Sequence, residues 1–129
     1  MILDTDLLIA LLKGETEANK IIEQLNEGGE RVATTILTAY ELLRGANISS
    51  KTEKNLAEAQ ELLSNIEILD LTLQACEEAS KIYRDLRKAG CSIGEFDTLI
   101  AAITKTHAET LMTRDEHFTL IQGINVEKW

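Results

Sequence analysis

The sequence predicts an α/β fold in which helices cover both faces of a short parallel sheet of four or five strands. Short apolar runs recur along the chain, and segments with the three- and four-residue apolar spacing of amphipathic helices separate them. Strands this short and apolar are typical of parallel sheets that are buried on both faces. The chain has 129 residues, of which 44% are hydrophobic and 27% charged, so we expect one globular domain over residues 1–129.

The first strand and the first two helices are predicted near the amino terminus. Met1–Leu3 is an apolar run that suits a strand, and the apolar segment after it suits a helix capped by Thr5 or Asp6. Apolar residues at helical spacing then predict a second helix, with Gly28–Gly29 as left-handed residues at its end. Residues 31–34 predict the second strand.

The middle of the chain predicts two further helices and a third strand. A helix capped by Thr34 or Thr35 is expected to stop at Gly45. Another helix is expected around residues 54–63, and Ile66–Leu69 predicts the third strand.

The last third of the chain predicts two helices and two strands. The longest periodic segment, residues 73–86, predicts a helix that Gly90 closes. Ser92–Glu95 has the spacing of a capping box and predicts the start of the next helix. Leu111–Thr113 predicts the fourth strand, and Asn125–Val126 suits a short fifth.

Four acidic residues stand in apolar surroundings. An ionised carboxylate loses hydration there unless a cation, a hydrogen-bond donor or a chemical task compensates it. Asp4 and Asp115 follow predicted strands, and parallel sheets bind ligands at the carboxyl ends of their strands. Glu41 and Asp97 lie inside apolar segments that predict helices.

These four carboxylates together predict a magnesium-type site. Two carboxylates about 5 Å apart at an effective dielectric of about 20 repel by roughly 3 kcal/mol. Without a cation, some of them would have to protonate. Mg²⁺ and Mn²⁺ prefer oxygen ligands, whereas the two histidines and two cysteines are too scattered to suggest zinc.

Other polar residues near these motifs have plainer explanations. Asp6 is expected to cap a helix, and Glu95 to serve the capping box, with a supporting place near the metal as the lesser alternative. His107 and His117 are expected to be structural or surface residues.

The charge balance limits the function classes. There are 22 acids and 13 bases, and the resulting charge of −9 argues against broad attraction to phosphate backbones. A nucleic-acid substrate is still compatible, because bound cations can hold a phosphate, and an acidic surface suits a basic protein partner. Arg114, Lys13 and Arg44 could each contact phosphate, although isolated basic residues are usually solvated.

The chain shows no sign of membrane insertion or export. No apolar run approaches the length of ~20 residues that spans a bilayer. The amino terminus also lacks a basic region followed by a cleavable apolar stretch. We therefore expect a cytoplasmic protein.

Four motifs in a particular order connect the chain to a known family. They are Ile2-Leu3-Asp4-Thr5, Glu41-Leu42-Leu43-Arg44-Gly45, Phe96-Asp97-Thr98-Leu99-Ile100-Ala101-Ala102 and Thr113-Arg114-Asp115-Glu116-His117-Phe118. No single motif is specific, but in this order and at these separations they resemble the PIN domain family. The similarity is greatest to the VapC-type toxins of prokaryotic toxin–antitoxin pairs, and it extends to Gly123–Val126 and Trp129.

This resemblance implies a fold, an activity and partners. The fold would be a three-layer α/β/α sandwich, and an acidic pocket would bind Mg²⁺ or Mn²⁺ to cleave single-stranded or looped RNA with a metal-activated water. The resemblance also implies a homodimer and a small VapB-like antitoxin whose basic tail covers the pocket. The motif positions assign catalytic and metal-binding roles to Asp4, Glu41, Asp97 and Asp115, with Thr5 and Thr113 as hydrogen-bonding supports.

Two alternatives come from other function classes. Asp4-Thr5-Asp6 after an apolar strand also resembles the opening motif of haloacid-dehalogenase-type phosphatases, in which the first Asp is the nucleophile. The later Gly-Asp pair with another Asp that this family usually has is missing from Thr113–Glu116. The second alternative is a non-catalytic binding module with the same fold, and the presence of all four acids argues against it.

Overall fold

A sheet of five parallel strands forms the centre of the protein, in a computed structural model that describes residues 1–129. The strands are β1 (Ile2–Leu3), β2 (Ala33–Thr35), β3 (Glu67–Leu69), β4 (Thr110–Thr113) and β5 (Asn125–Lys128). Their order in the sheet is β3-β2-β1-β4-β5, so the first strand lies in the middle. The predicted α/β fold with a short parallel sheet is therefore confirmed, and the fifth strand is longer than predicted.

Six α-helices and one 3₁₀ helix connect the strands. They are α1 (Thr5–Leu12), α2 (Thr16–Glu27), α3 (Ile36–Asn47), α4 (Thr52–Ser64), α5 (Leu73–Lys88), α6 (Glu95–Thr106) and the 3₁₀ helix (Glu116–Leu120). None of the helices combines the length and the apolar character that crossing a membrane requires.

Alternate residues of the central strands face two different hydrophobic cores. Ile2 and Leu111 pack with the buried residues of α5 and α6, whereas Leu3 and Met112 pack with those of α1 and α2 on the other face. Successive side chains of a strand point to opposite faces, so each short strand contributes to both cores. This arrangement is the three-layer α/β/α sandwich that the family resemblance implied.

The start of α1 differs from the prediction. Asp4 is its N-cap residue, and the Asp4 side chain accepts a hydrogen bond from the Thr5 N–H. Thr5 and Asp6, the predicted caps, lie inside the first turn because the helix begins directly after β1. Asp4 thus directly follows the central strand and caps the helix that comes next.

Two predicted features of the other helices are wrong. Gly45 does not stop α3, which continues to Asn47 and packs along α4. Glycine inside a helix costs only about 1 kcal/mol relative to alanine, which tertiary packing outweighs. Ser92 does not begin a capping box either. Gly94 is the N-cap of α6 and Glu95 is its first residue, so the Glu95 side chain has no capping role.

The caps at Thr35 and Gly90 are confirmed. The Thr35 hydroxyl accepts a hydrogen bond from the Thr38 N–H at the start of α3. Gly90 has a φ of +73° after α5, and Gly29 has a φ of +69° after α2. Gly28, the other predicted left-handed residue, keeps a right-handed φ of −74°.

Candidate active site

The predicted acidic residues lie at the carboxyl edge of the sheet. Asp4 follows β1 and Asp115 comes shortly after β4, and these two strands are hydrogen-bonded neighbours with Ile2 paired to Leu111. Helix α3 brings Glu41 to the same place, and α6 brings Asp97. All four side chains line one open pocket of about 370 Å³.

Asp4 is the most buried of these carboxylates, with only 6% of the residue exposed. Its Oδ1 accepts a hydrogen bond from the Thr5 N–H at 2.8 Å, and its Oδ2 accepts one from the Thr113 hydroxyl at 2.6 Å. Burial raises the pKa of Asp4 to about 6, although the two hydrogen bonds oppose the rise. The negative charges of Asp6 and Asp97 raise this pKa further.

The Thr113 hydroxyl connects Asp4 to Asp115. It donates to Asp4 Oδ2 and accepts a hydrogen bond of 3.0 Å from the Asp115 N–H. Thr113 is itself almost completely buried, with 1% of the residue exposed. One side chain at the end of β4 therefore sets the positions of two acidic residues relative to each other.

Thr5 plays a similar structural part for Glu41. The Thr5 hydroxyl donates to Glu41 Oε1 at 3.0 Å and lies 3.1 Å from the hydroxyl of the buried Thr38. Glu41 Oε2 makes no hydrogen bond within the protein, so this oxygen remains available to a ligand in the pocket.

Asp97 and Asp115, which line the pocket, form a tighter group with His117, which is not among the lining residues. One possible ligand atom from each lies within 4.8 Å of the others. Burial raises the pKa of Asp97, and the negative charges of Asp115 and Glu41 raise it further, whereas His117 lowers it. Asp4 and Glu41 line the same pocket without joining this tighter group.

The position of His117 was not foreseen from the sequence. Its side chain is 62% exposed, as a surface residue should be, but its Nδ1 lies 3.1 Å from Asp115 Oδ1. The Asp-x-His spacing at the start of the 3₁₀ helix could have revealed this, because Asp115 is its N-cap and accepts a hydrogen bond from the His117 N–H at 2.9 Å. One imidazole among carboxylates does not make a zinc-type set.

Asp6 and Glu95 also differ from their predicted roles. Asp6 lines the pocket, and its carboxylate accepts hydrogen bonds from the Leu7 N–H at 2.8 Å and from the Arg114 N–H at 3.1 Å. Asp6 therefore ties α1 to the segment after β4. Glu95 is exposed and is not among the residues that line the pocket.

The donor set of the pocket fits a hard divalent cation. Its lining includes five carboxylates, of Asp4, Asp6, Glu41, Asp97 and Asp115. Burial is the main cause of the raised pKa values of Asp4 and Asp97, and repulsion by neighbouring carboxylates raises both values further. A cation with a preference for oxygen ligands, such as Mg²⁺ or Mn²⁺, would relieve this repulsion.

The chain is similar to known proteins both in its sequence and in its fold. The model of the PIN domain family matches residues 1–123. The tRNA(fMet)-specific endonuclease VapC of Salmonella typhimurium is 31% identical over 128 residues, covering 98% of this chain and 96% of that protein. The structure of VapBC2 from Rickettsia felis, bound to a DNA fragment from their promoter, gives a TM-score of 0.92 at 25% identity, covering 99% of this chain and 97% of that one. The structure of DNA-bound VapBC from Salmonella typhimurium gives a TM-score of 0.91 at 31% identity, covering 99% of this chain and 96% of that one.

Proposed function

The chain belongs to the PIN domain family, and from this premise we propose that it is a metal-dependent endoribonuclease, the toxin of a toxin–antitoxin pair. The observation that carries the proposal is the convergence of Asp4, Glu41, Asp97 and Asp115 on one pocket at the sheet edge. Relatives named as VapC ribonucleases and endonucleases support the choice of RNA as the substrate.

We propose that the same four acids hold Mg²⁺ or Mn²⁺ and carry the catalytic chemistry. When bound, such a cation lowers the pKa of a water molecule and offsets negative charge on phosphate oxygens. The Thr113 hydroxyl donates to Asp4 Oδ2, and this hydrogen bond favours the ionised form of Asp4 that a cation would bind. The Thr5 hydroxyl lies 3.0 Å from Glu41 Oε1 and helps to position that carboxylate.

The shape of the pocket supports single-stranded or looped RNA as the substrate. The pocket is an open depression at the sheet edge, and Asp115, one of its lining residues, is only partly buried. An extended strand can approach such a surface with one phosphate over the carboxylates. The phosphatase alternative loses support, because the chain belongs to a different family and both Asp6 oxygens accept backbone hydrogen bonds.

The proposal includes partners and a location. Structural neighbours of this chain are VapBC toxin–antitoxin complexes, which supports a small VapB-like antitoxin as its partner. The charge of −9 suits a partner with a basic tail. We also propose that the chain forms a homodimer, which a mass measurement of the isolated chain would test. The proposed location is the cytoplasm.

The proposed activity is tested with the purified chain and a mixed pool of single-stranded RNA. We expect cleavage with Mg²⁺ or Mn²⁺ and none with excess chelator, and re-addition of the cation should restore it. Cleavage that persists in chelator would contradict the metal requirement. A chain that leaves the pool intact under all these conditions would instead favour the non-catalytic binding module.

Thr113→Val tests the support of Asp4 by a hydroxyl group. The substitution keeps the side-chain shape and removes the donor to Asp4 Oδ2 and the acceptor for the Asp115 N–H. We expect cleavage to fall about 10-fold, the effect of losing about 1.4 kcal/mol of positioning in the transition state.

The matched control for this variant is Thr104→Val. Thr104 is equally buried, and its hydroxyl donates to the Ile100 carbonyl within α6, away from the pocket. Both variants lose a buried hydroxyl, so they should lose similar stability in thermal unfolding. Equal cleavage by the two variants would show that the Thr113 hydroxyl has no special part in the activity.

A further inference from the structure

Arg114 is the only basic residue among those that line the acidic pocket. It lies between Thr113, which bonds to Asp4, and Asp115. Its backbone is fixed, because its N–H donates to Asp6 Oδ2 at 3.1 Å. The backbone from which the Arg114 side chain extends is therefore anchored to another residue of the pocket.

The Arg114 guanidinium lies over an aromatic ring. Its Cζ lies 3.4 Å from the ring centroid of Trp129. Trp129 packs against the core formed by α1, α2 and the central strands, so the ring is a firm support. A cation–π contact of this kind restrains a guanidinium while leaving its N–H groups free to form hydrogen bonds.

The N–H groups of this guanidinium are not taken up by the protein. Arg114 Nη2 lies 3.7 Å from Glu15 Oε2 and 3.9 Å from Glu17 Oε2. Both distances exceed the 2.7–2.9 Å that is typical of a hydrogen bond between two charged groups. The side chain is 45% exposed and makes no hydrogen bond within the protein, so it presents an oriented cation with free donors.

We propose that Arg114 binds a non-bridging oxygen of the RNA phosphate next to the one over the acidic pocket. The inference rests on the proposed ribonuclease function and adds a substrate-binding residue to it. The planar fork of arginine matches the geometry of phosphate oxygens, and the other pocket residues repel the RNA backbone. Trp129 is a positioning residue, because it acts through Arg114.

A purely structural role for Arg114 is the competing explanation. The residue could brace α2 and the segment before it against the end of the sheet through Glu15, Glu17 and Trp129. Exposed ion pairs of this length contribute little to stability. A brace would affect thermal unfolding, whereas a phosphate contact affects the KM and the salt dependence of RNA binding.

The test compares Arg114→Gln with Arg84→Gln. Arg84 lies on α5, is similarly exposed and is paired with Asp85, so its substitution removes the same charge outside the pocket. Cleavage of a labelled single-stranded RNA of mixed sequence gives KM and kcat. Binding of the same RNA at several salt concentrations is measured in an Asp97→Asn background, so that the RNA stays intact.

We expect Arg114→Gln to raise KM about 10-fold with a much smaller change in kcat, the size of one lost phosphate contact. The slope of log K against log salt should become shallower by about 0.7, the value for one phosphate contact on a single strand. Arg114→Lys keeps the positive charge and should therefore show the wild-type salt slope. Trp129→Leu should raise KM by a smaller factor than Arg114→Gln does and should also show the wild-type salt slope.

The outcomes separate this inference from the proposed function. If the wild type cleaves RNA but Arg114→Gln behaves like Arg84→Gln in KM and salt slope, the phosphate contact is wrong and the ribonuclease function stands. A lower unfolding temperature without a change in KM or slope would establish the structural brace instead. Failure of the wild type to cleave any RNA would overturn both.

Discussion

Asp97→Asn is expected to reduce metal-dependent RNA cleavage at least ~100-fold, which corresponds to about 3 kcal/mol of lost transition-state stabilisation. Asp97 lies beside Asp115 and His117, and the charges of Asp115 and Glu41 already act on it. Replacing its carboxylate by an amide would remove one of the negative side chains that are proposed to hold the cation. Cleavage rates with saturating Mg²⁺ measure the effect.

The control for this prediction is Asp70→Asn. Asp70 is an exposed acid that follows β3, another strand of the same sheet, but it is not among the residues that line the pocket. Its substitution changes the net charge equally and should leave cleavage near the wild-type rate. Equal activity of wild type and Asp97→Asn would mean that the cleavage comes from a contaminating nuclease or from another site.

Asp4→Asn is expected to abolish most of the activity and yet to stabilise the metal-free protein at neutral and higher pH. The pKa of Asp4 rises from 3.8 to about 6 on folding, mainly because the carboxylate is buried. This rise in the pKa means that the protein loses about 3 kcal/mol of folding free energy when Asp4 is ionised. Asparagine keeps the shape and can still accept the Thr5 N–H, but it has no charge to bury.

The sign of the pH effect distinguishes this explanation from a general change in packing. Between pH 3.8 and about 6 the folded state binds the Asp4 proton more tightly than the unfolded state does. The contribution of Asp4 to the free energy of unfolding of the wild type therefore falls as the pH rises through this range. The advantage of Asp4→Asn should therefore be complete above pH 6 and disappear below pH 3.8.

Urea unfolding in the presence of chelator, at several pH values, measures this difference. Added Mg²⁺ should stabilise the wild type more than Asp4→Asn, because the variant lacks one of the proposed ligands. A stability difference between the wild type and Asp4→Asn that is independent of pH would show that burial does not raise the pKa of Asp4 in the metal-free protein. It would also weaken the case that a cation compensates its charge.

Local patterns in the sequence were sufficient to predict the order of strands and helices. Apolar runs such as Met1–Leu3 and Leu111–Thr113 could be recognised as strands, because a doubly buried parallel strand has to be apolar on both faces. The acids that follow them could be placed at one edge of the sheet, because parallel strands end on the same side. Glu41 and Asp97 were conspicuous because their apolar neighbours leave little polar helix surface.

Details at the ends of helices were less predictable. Ser92 and Glu95 have the right spacing for a capping box, but Gly94 begins the helix in the folded chain. Ser92 and Gly94 are both acceptable N-cap residues, and packing of the helix against its neighbours selects between them. Gly45 shows the same effect, because α3 continues through it alongside α4.

The convergence of the four acids on one edge of the sheet and the class of the fold could thus be predicted from residue types and periodicities. The hydrogen bond from Thr113 to Asp4, the approach of His117 to Asp97 and the stack of Arg114 on Trp129 emerged only in the folded protein. Thr113 and Asp4 are 109 residues apart in the chain, and their contact depends on the register of β1 against β4. Periodicity reports which face of an element is buried, whereas such a contact requires the relative placement of elements that share no local pattern.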